Sequence, residues 1–272
     1  MYFELNIIFM FLRFILMLAL LNNCAFAQEI IKTQSLPYPG SGPYTSEPDA
    51  FSFSANPAAL SNYKENLIGV FSERKFLMEE NSLYALYLGI PSKHGNFGFF
   101  INYSGFSNFN QFQVGGAYGK NLGKFSAGIQ FNYYKTKIFG YGNENALSAS
   151  VGLLFKINSQ FYTGVQISNF VQGKLSSNRQ PKIIKFGFGY QPSASVFVSM
   201  DILKEENISG NVLMLLRYNY NKRFHSGLSF NAGNITASCF AGISWNNYRI
   251  DISAGYHQHL GISPGVTLFT KL

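Results

Sequence analysis

The chain of 272 residues has a formal net charge of +8, and 12% of its residues are charged and 17% aromatic. Because an average globular protein carries about 25% charged residues, this composition argues against an ordinary soluble domain and indicates a surface that faces something other than water. The 21 basic residues are scattered, without a basic run or a nucleic-acid-binding motif, so we expect no nucleic-acid partner. Basic loops that face an anionic lipid surface account for the same excess of charge.

Residues 1–27 predict a signal peptide for export. Ile7–Leu21 is apolar apart from one arginine, and Ala25-Phe26-Ala27 offers the small-x-small pattern that signal peptidase recognises. The alternative is a lipoprotein signal at Cys24, which the two preceding asparagines fit poorly. Cleavage after Ala27 leaves Cys239 as the single cysteine, so no intrachain disulfide is expected.

Residues 28–66 are rich in Pro, Gly, Ser and Asn and predict a coil. This coil contains the step Asn56-Pro57-Ala58. Asparagine is a good helix N-cap and proline suits the first helical position, so we expect a single helical turn after Pro57.

From residue 67 to residue 272 the large apolar residues alternate with small or polar ones, which is typical of half-buried strands. The alternation predicts fourteen strands: 67–74, 82–90, 95–104, 109–119, 123–136, 145–155, 161–168, 183–190, 194–203, 210–220, 224–230, 235–245, 248–256 and 265–271. Their lengths approach the roughly 9–11 residues with which a tilted strand crosses a bilayer. The predicted fold class is all-β, a transmembrane antiparallel β-barrel; a soluble all-β sandwich is the alternative.

The connections between the predicted strands indicate an orientation. If the first strand runs outward, the outer connections include 75–81, 137–144, 169–182 and 257–264. The inner connections are short turns, such as 91–94 and 246–247. Longer outer loops are expected of an outer-membrane barrel, although the outer connection 232–234 is short. With the export signal, this pattern predicts the outer membrane of a Gram-negative bacterium.

The ionisable residues within the strands indicate which face is wet. They share the polar register, opposite apolar residues such as Phe186, Leu216 and Ile250. Because Lys or Arg at the lipid midplane costs about 2–4 kcal/mol, this register is assigned to the lumen. The predicted lumen charge network consists of Lys185, Asp201, Arg217, His225, Arg249 and Asp251.

Two interpretations of this network stay open. The first is a structural set of ion pairs, with Asp201 and Arg217 on neighbouring strands and Arg249 and Asp251 on one strand. The second is a gate for polar solutes.

Glycine is concentrated on the same luminal register, for example at Gly128, Gly152 and Gly187. Small residues there make sense if another piece of chain fits inside the barrel. We therefore predict that residues 28–66 form a plug or hatch with its turn at Asn56-Pro57-Ala58, inside or beneath the barrel formed by residues 67–272. A flexible periplasmic leader is the alternative.

An N-terminal coil with an Asn56-Pro57-Ala58 step ahead of about fourteen strands resembles the long-chain fatty-acid transporter (FadL-like) barrels. The stretches FSERKFLMEENSLYALYLGIP, HGNFGFFINYSGFSNFN, VGGAYGKNLGKFSAGIQFNYY and GYHQHLGISPGV look like the PorV and PorQ branch, which serves the type IX secretion system. The lead-in GSGPYTSEPDAFSFSA departs from the usual Gly-rich sequence, and the chain is shorter than typical members.

The resemblance implies two functions. The secretion-associated branch implies a barrel that contacts secretion-system proteins or secreted substrates, and the lumen rich in Gly, Ser and charge favours this function. The fatty-acid transporters imply a passive transporter of a hydrophobic small molecule, with a hatch inside fourteen strands.

Sequence motifs for catalysis or cofactor binding are weak. His257 and His259 share one face, but no acidic or Cys partner is near, so we expect no metal site. His225 and Ser229 lie too far apart along one strand for a direct hydrogen bond. We expect neither catalytic residues nor a cofactor, and therefore no enzyme.

Overall fold

The computed structural model describes residues 38–140, 142–172, 181–206 and 210–272. The predicted signal peptide, residues 1–27, and the part of the predicted hatch before residue 38 lie outside these ranges. In these ranges, none of the helices combines the length and the apolar character needed to cross a membrane.

Fourteen antiparallel strands form a closed barrel, which confirms the predicted fold class and strand number. The strands are β1 (Leu67–Arg74), β2 (Ser82–Ile90), β3 (Asn96–Gly105), β4 (Phe109–Asn121), β5 (Phe125–Ile138), β6 (Gly142–Lys156), β7 (Phe161–Gln172), β8 (Ile183–Tyr190), β9 (Val196–Glu205), β10 (Asn211–Asn219), β11 (Phe224–Asn231), β12 (Thr236–Trp245), β13 (Tyr248–His257) and β14 (Gly261–Lys271). Each strand pairs with its neighbours in sequence, and β14 pairs with β1, so the ring closes without an open edge.

Several strands are longer than the sequence predicts. β5 and β6 remain paired up to Ile138 and Gly142, so three residues, 139–141, separate the two strands where the long connection 137–144 was expected. The connection expected at 257–264 shortens in the same way, because β14 begins at Gly261. The expectation of long outer loops is therefore wrong at these two positions, since backbone pairing continues past the end of the apolar alternation.

The barrel has two ends that differ in their connections. The terminal rim is the end at which β1 begins and β14 ends, with the connections 91–95, 122–124, 157–160, 191–195, 220–223 and 246–247. The loop rim is the opposite end, with the connections 75–81, 106–108, 139–141, 173–182, 206–210, 232–235 and 258–260. Two short 3-10 helices, Lys75–Leu77 and Glu79–Asn81, lie in the first loop-rim connection.

Side chains alternate between the lumen and the outside along each strand. In β8, Lys185 and Gly187 are buried in the lumen, whereas Phe186 and Phe188 are exposed on the outer face. The outer surface is therefore largely apolar between the two rims, while polar and small residues face inward.

Residues 38–66, the luminal segment, are largely buried inside the barrel, apart from residues 46–47 and 64–66, which are exposed. They contain α1 (Ser52–Ala55) and a 3-10 helix, Pro57–Asn62, so the helical turn expected after Pro57 is present. Phe51 and Phe53 are fully buried and pack with inward-facing rings of the wall in the main hydrophobic cluster. The core of the molecule thus lies in the lumen, between this segment and the wall.

Candidate functional site: the luminal segment and its anchors

Asn56 fixes the turn of the luminal segment and also holds it against the wall. Its Oδ1 atom accepts a hydrogen bond of 3.0 Å from the Ala58 backbone N–H, which caps the 3-10 helix that begins at Pro57. Its Nδ2 atom donates to the carbonyl oxygens of Leu153 at 3.2 Å and Val165 at 3.3 Å, on β6 and β7. One fully buried amide therefore orders the helix and connects it to two strands.

Glycines of the wall make room for this turn. A Cβ atom added at Gly128 would overlap the backbone of Pro57 and Ala58, and one added at Gly152 would overlap the Asn56 side chain. A Cβ at Gly119 would meet the Leu60 side chain and the Pro57 carbonyl oxygen. The luminal glycines of β4, β5 and β6 thus allow a backbone-to-wall approach that any larger residue would block.

The first polar anchor joins the segment to β8 and β9. The Tyr44 hydroxyl donates a hydrogen bond of 2.5 Å to Oδ1 of Asp201, and Lys185 Nζ donates to the Ala55 carbonyl oxygen at 3.1 Å. All four residues are buried. Burial, with the negative charge of Asp201 added to it, raises the pKa of the Tyr44 phenol well above its ordinary value, so the phenol stays a donor.

The second polar anchor joins the start of the segment to β13. The Tyr38 hydroxyl donates a hydrogen bond of 2.5 Å to Oδ2 of Asp251. The same carboxylate lies 3.1 Å from Arg249 Nε and 2.9 Å from His225 Nε2. Burial raises the pKa of the Tyr38 phenol well above its ordinary value; Arg249 opposes this shift and Asp251 adds to it.

The six predicted charged residues all face the lumen, but they do not form one network. Asp201 lies opposite Leu213, and Arg217 lies opposite Phe197, so the pair expected between Asp201 and Arg217 is wrong. The two positions are four residues apart along the strands, about 13 Å at the rise of a β-strand. Arg217 instead places its guanidinium 5.0 Å from the centroid of the Phe197 ring.

Aromatic side chains of the luminal segment insert between aromatic side chains of the wall. The ring of Phe51 lies 4.8 Å from that of Tyr87 and 5.3 Å from that of Phe269, measured between centroids. Phe53 lies 5.3 Å from Tyr87 and 6.1 Å from Phe100. Three of these ring pairs are tilted and that of Phe51 with Phe269 is T-shaped, an arrangement that aromatic pairs favour. The segment therefore presents an apolar contact to the wall beside its polar anchors.

The lumen towards the loop rim is lined by neutral polar side chains that bond to one another. Gln130 Nε2 donates to Asn132 Oδ1 at 2.7 Å, and Asn132 Nδ2 donates to Ser148 Oγ at 3.3 Å. Asn102 Nδ2 donates to the Tyr87 hydroxyl oxygen at 3.1 Å. Tyr87 therefore contacts the aromatic cluster through its ring and the polar region through its hydroxyl.

The His257-Gln258-His259 stretch has a local role. His257 Nδ1 accepts hydrogen bonds from the backbone N–H groups of His259 at 3.2 Å and Leu260 at 3.3 Å, which stabilises the turn between β13 and β14. Within the described ranges, no group of three or more His, Cys, Asp or Glu side chains is placed to hold a metal ion.

Sequence reasoning missed the residues of the luminal segment that reach the wall. Tyr38, Tyr44, Phe51 and Phe53 lie in a Pro- and Gly-rich stretch, where no periodicity assigns a buried face. The available signal was composition, because four large aromatic residues within sixteen positions are unusual for a solvated leader.

Comparisons with known proteins connect this barrel to outer-membrane channels by fold. No protein-family model matches the sequence, and no curated protein matches it significantly. The solved structure titled "CymD monoaromatic hydrocarbon channel" superposes with a TM-score of 0.58 at 11% identity, covering 80% of this chain and 91% of that one. The toluene transporter TodX of Pseudomonas putida superposes with a TM-score of 0.58 at 11% identity, covering 85% of this chain and 94% of that one. The outer membrane protein Omp33 of Acinetobacter baumannii superposes with a TM-score of 0.52 at 10% identity, covering 76% of this chain and 98% of that one. The chain thus has the fold of outer-membrane channel barrels.

Proposed function

We propose that this chain is an outer-membrane barrel through which small hydrophobic molecules pass, with the luminal segment acting as its hatch. The observation that carries the proposal is the aromatic contact between Phe51 and Phe53 of the segment and Tyr87, Phe100 and Phe269 of the wall. A pore that conducts water and polar solutes does not require an aromatic contact of this kind. An apolar solute that replaces one of these rings exchanges water for apolar surroundings, which is favourable.

The fold likeness supports this function over the secretion-associated one. The structures with this fold described above include a monoaromatic hydrocarbon channel and a toluene transporter by title, and they supply no support for a secretion partner. The luminal segment supports a gated passage, because it reaches wall residues on opposite sides of the ring, among them Leu153 on β6 and Asp251 on β13. Passage then requires a shift of this segment rather than of the strands.

The test measures the rates of entry of a hydrophobic and a hydrophilic solute separately. Cells that carry the protein in the outer membrane should take up radiolabelled toluene faster than cells without it, and proteoliposomes should swell slowly in arabinose. Pro57→Gly should raise arabinose entry, because it frees the backbone of the hatch turn. Pro192→Gly, in a terminal-rim turn, is the control and should change neither rate.

Fast arabinose entry through the unaltered protein, or toluene uptake equal to that of cells without it, would contradict the proposal. Recovery of secretion components by affinity purification, without any effect on toluene uptake, would favour the secretion-associated function instead.

A further inference from the structure

The charge of the described residues is distributed unevenly between the two rims of the barrel. Exposed basic side chains surround the terminal rim, where the acidic side chains are Glu47 and Glu65. These basic side chains, the basic ring, are Lys64, Lys93, Lys120, Lys124, Lys156, Lys222, Arg223 and Lys271. Eight basic side chains against two acidic ones give this rim a net charge of +6.

In the rest of the described chain, basic and acidic residues are equal in number. In the lumen, Lys185, Arg217 and Arg249 are matched by Asp49, Asp201 and Asp251. At and near the loop rim, the six described basic residues Arg74, Lys75, Lys135, Lys137, Lys182 and Lys204 are matched by the six acidic residues Glu73, Glu79, Glu80, Glu144, Glu205 and Glu206. The excess positive charge of the described residues therefore lies at the terminal rim.

The basic ring lacks close acidic partners within the described ranges. The ion pairs found there join Arg74 to Glu79, and His225 and Arg249 to Asp251. None of them includes a member of the basic ring. The eight ammonium and guanidinium groups are thus exposed at the rim without an acidic partner among the described residues, and the Lys156 ammonium lies 5.7 Å from the centroid of the Tyr162 ring.

Large apolar side chains stand beside the members of the basic ring. Leu122 is 51% exposed between Lys120 and Lys124, Ile157 is 68% exposed next to Lys156, and Leu272 is 69% exposed next to Lys271. Tyr220, also exposed, lies two residues before Lys222. A basic group adjoining an exposed apolar group matches the boundary between the acyl chains and the headgroups of a bilayer.

The ring also encircles the barrel. Its members lie in or beside four of the six terminal-rim connections, those that follow β2, β4, β6 and β10, and also just before β1 and at the end of β14, where these two strands pair. Lipid headgroups surround a membrane barrel on all sides, and basic groups at most of the rim connections match that arrangement. We propose that the basic ring binds the phosphates of anionic phospholipids in the leaflet that holds the terminal rim. This inference rests on the proposed membrane location and is independent of what the barrel transports.

The experiment uses the full chain inserted into phosphatidylcholine vesicles. Spin-labelled phosphatidylglycerol and phosphatidylcholine report which lipid the protein holds at its perimeter. The unaltered protein should prefer phosphatidylglycerol several-fold, and this preference should fall in 1 M salt, where charge interactions are screened within about 3 Å. A variant with Lys120→Gln, Lys124→Gln, Lys222→Gln and Arg223→Gln should lose most of the preference.

The matched control removes four positive charges from the loop rim, by Lys75→Gln, Lys135→Gln, Lys137→Gln and Lys182→Gln, and should keep the preference. Equal affinity of the unaltered protein for both lipids, or equal losses in the two variants, would overturn the inference. If the protein shows no lipid preference but binds polyglutamate in detergent through the basic ring, the ligand of the ring would be an acidic protein and not a lipid. A chain that does not float with the vesicles would refute the membrane location itself.

Discussion

The Tyr44 hydroxyl donates a hydrogen bond of 2.5 Å to Asp201, a residue 157 positions later in the chain, and Tyr38 makes an equally short bond to Asp251. Both bonds connect the luminal segment to inward-facing carboxylates of the wall. In each case the phenol is fully buried. The loss of either hydroxyl leaves a buried carboxylate with one donor fewer.

We expect Tyr44→Phe to lower the free energy of unfolding by about 1.5–3 kcal/mol, the usual contribution of a hydrogen bond to a charged group. Urea unfolding in detergent, followed by the fluorescence of the single tryptophan, Trp245, measures this change. Tyr248→Phe is the control, because its side chain is 63% exposed. An equal loss of stability in both variants would show that the anchor contributes nothing.

Alkaline pH should weaken the folded state through the two phenols. Burial raises the pKa of Tyr38 and Tyr44 above the ordinary value of 10.0. Above that pH the unfolded chain has lost these protons and the folded chain keeps them, so the stability present at lower pH declines as pH rises. The double variant Tyr38→Phe/Tyr44→Phe should show a shallower decline. Absorbance of tyrosinate at 295 nm should show the delayed ionisation, and its absence would contradict the burial of the phenols.

Gly128→Ala tests the close approach of the segment to β5. The new methyl group would overlap the backbone of Pro57 and Ala58, which cannot rotate away as a side chain can. We expect a loss of about 1–3 kcal/mol in the free energy of unfolding, as for other overpacked sites. Gly116→Ala, where the nearest atom is a Phe99 ring carbon at 3.7 Å, is the control and should change little. A tolerated Gly128→Ala would place the turn farther from the wall.

Asn56→Asp separates the two roles of this amide. The carboxylate can still cap the helix at Ala58, but it cannot donate to the carbonyl oxygens of Leu153 and Val165. We expect faster hydrogen exchange in residues 52–63, whereas Asn56→Ala should lose in addition about 1 kcal/mol from the missing cap. Asn247→Asp, in an exposed turn, is the control. Unchanged exchange in Asn56→Asp would mean that the wall contact does not hold the segment.

The sequence predicted the strands well because the outer face of a barrel imposes a period of two on every strand. It therefore also predicted that Lys185, Asp201 and Asp251 face inward. Alternation assigns a face but not a depth, so the sequence did not reveal that Asp201 and Arg217 lie about four residues apart in register. The partners of Tyr38 and Tyr44 were equally hidden, because they lie 213 and 157 residues away and no local pattern encodes such contacts.

The pairing of β14 with β1 has a consequence for the order in which the molecule assembles. Phe269 on β14 contacts both Tyr38 and Phe51 of the luminal segment, so the last strand completes the ring and the packing of the interior together. We therefore expect closure of the wall and enclosure of the luminal segment to occur together, so a chain truncated before β14 should leave the interior open to solvent.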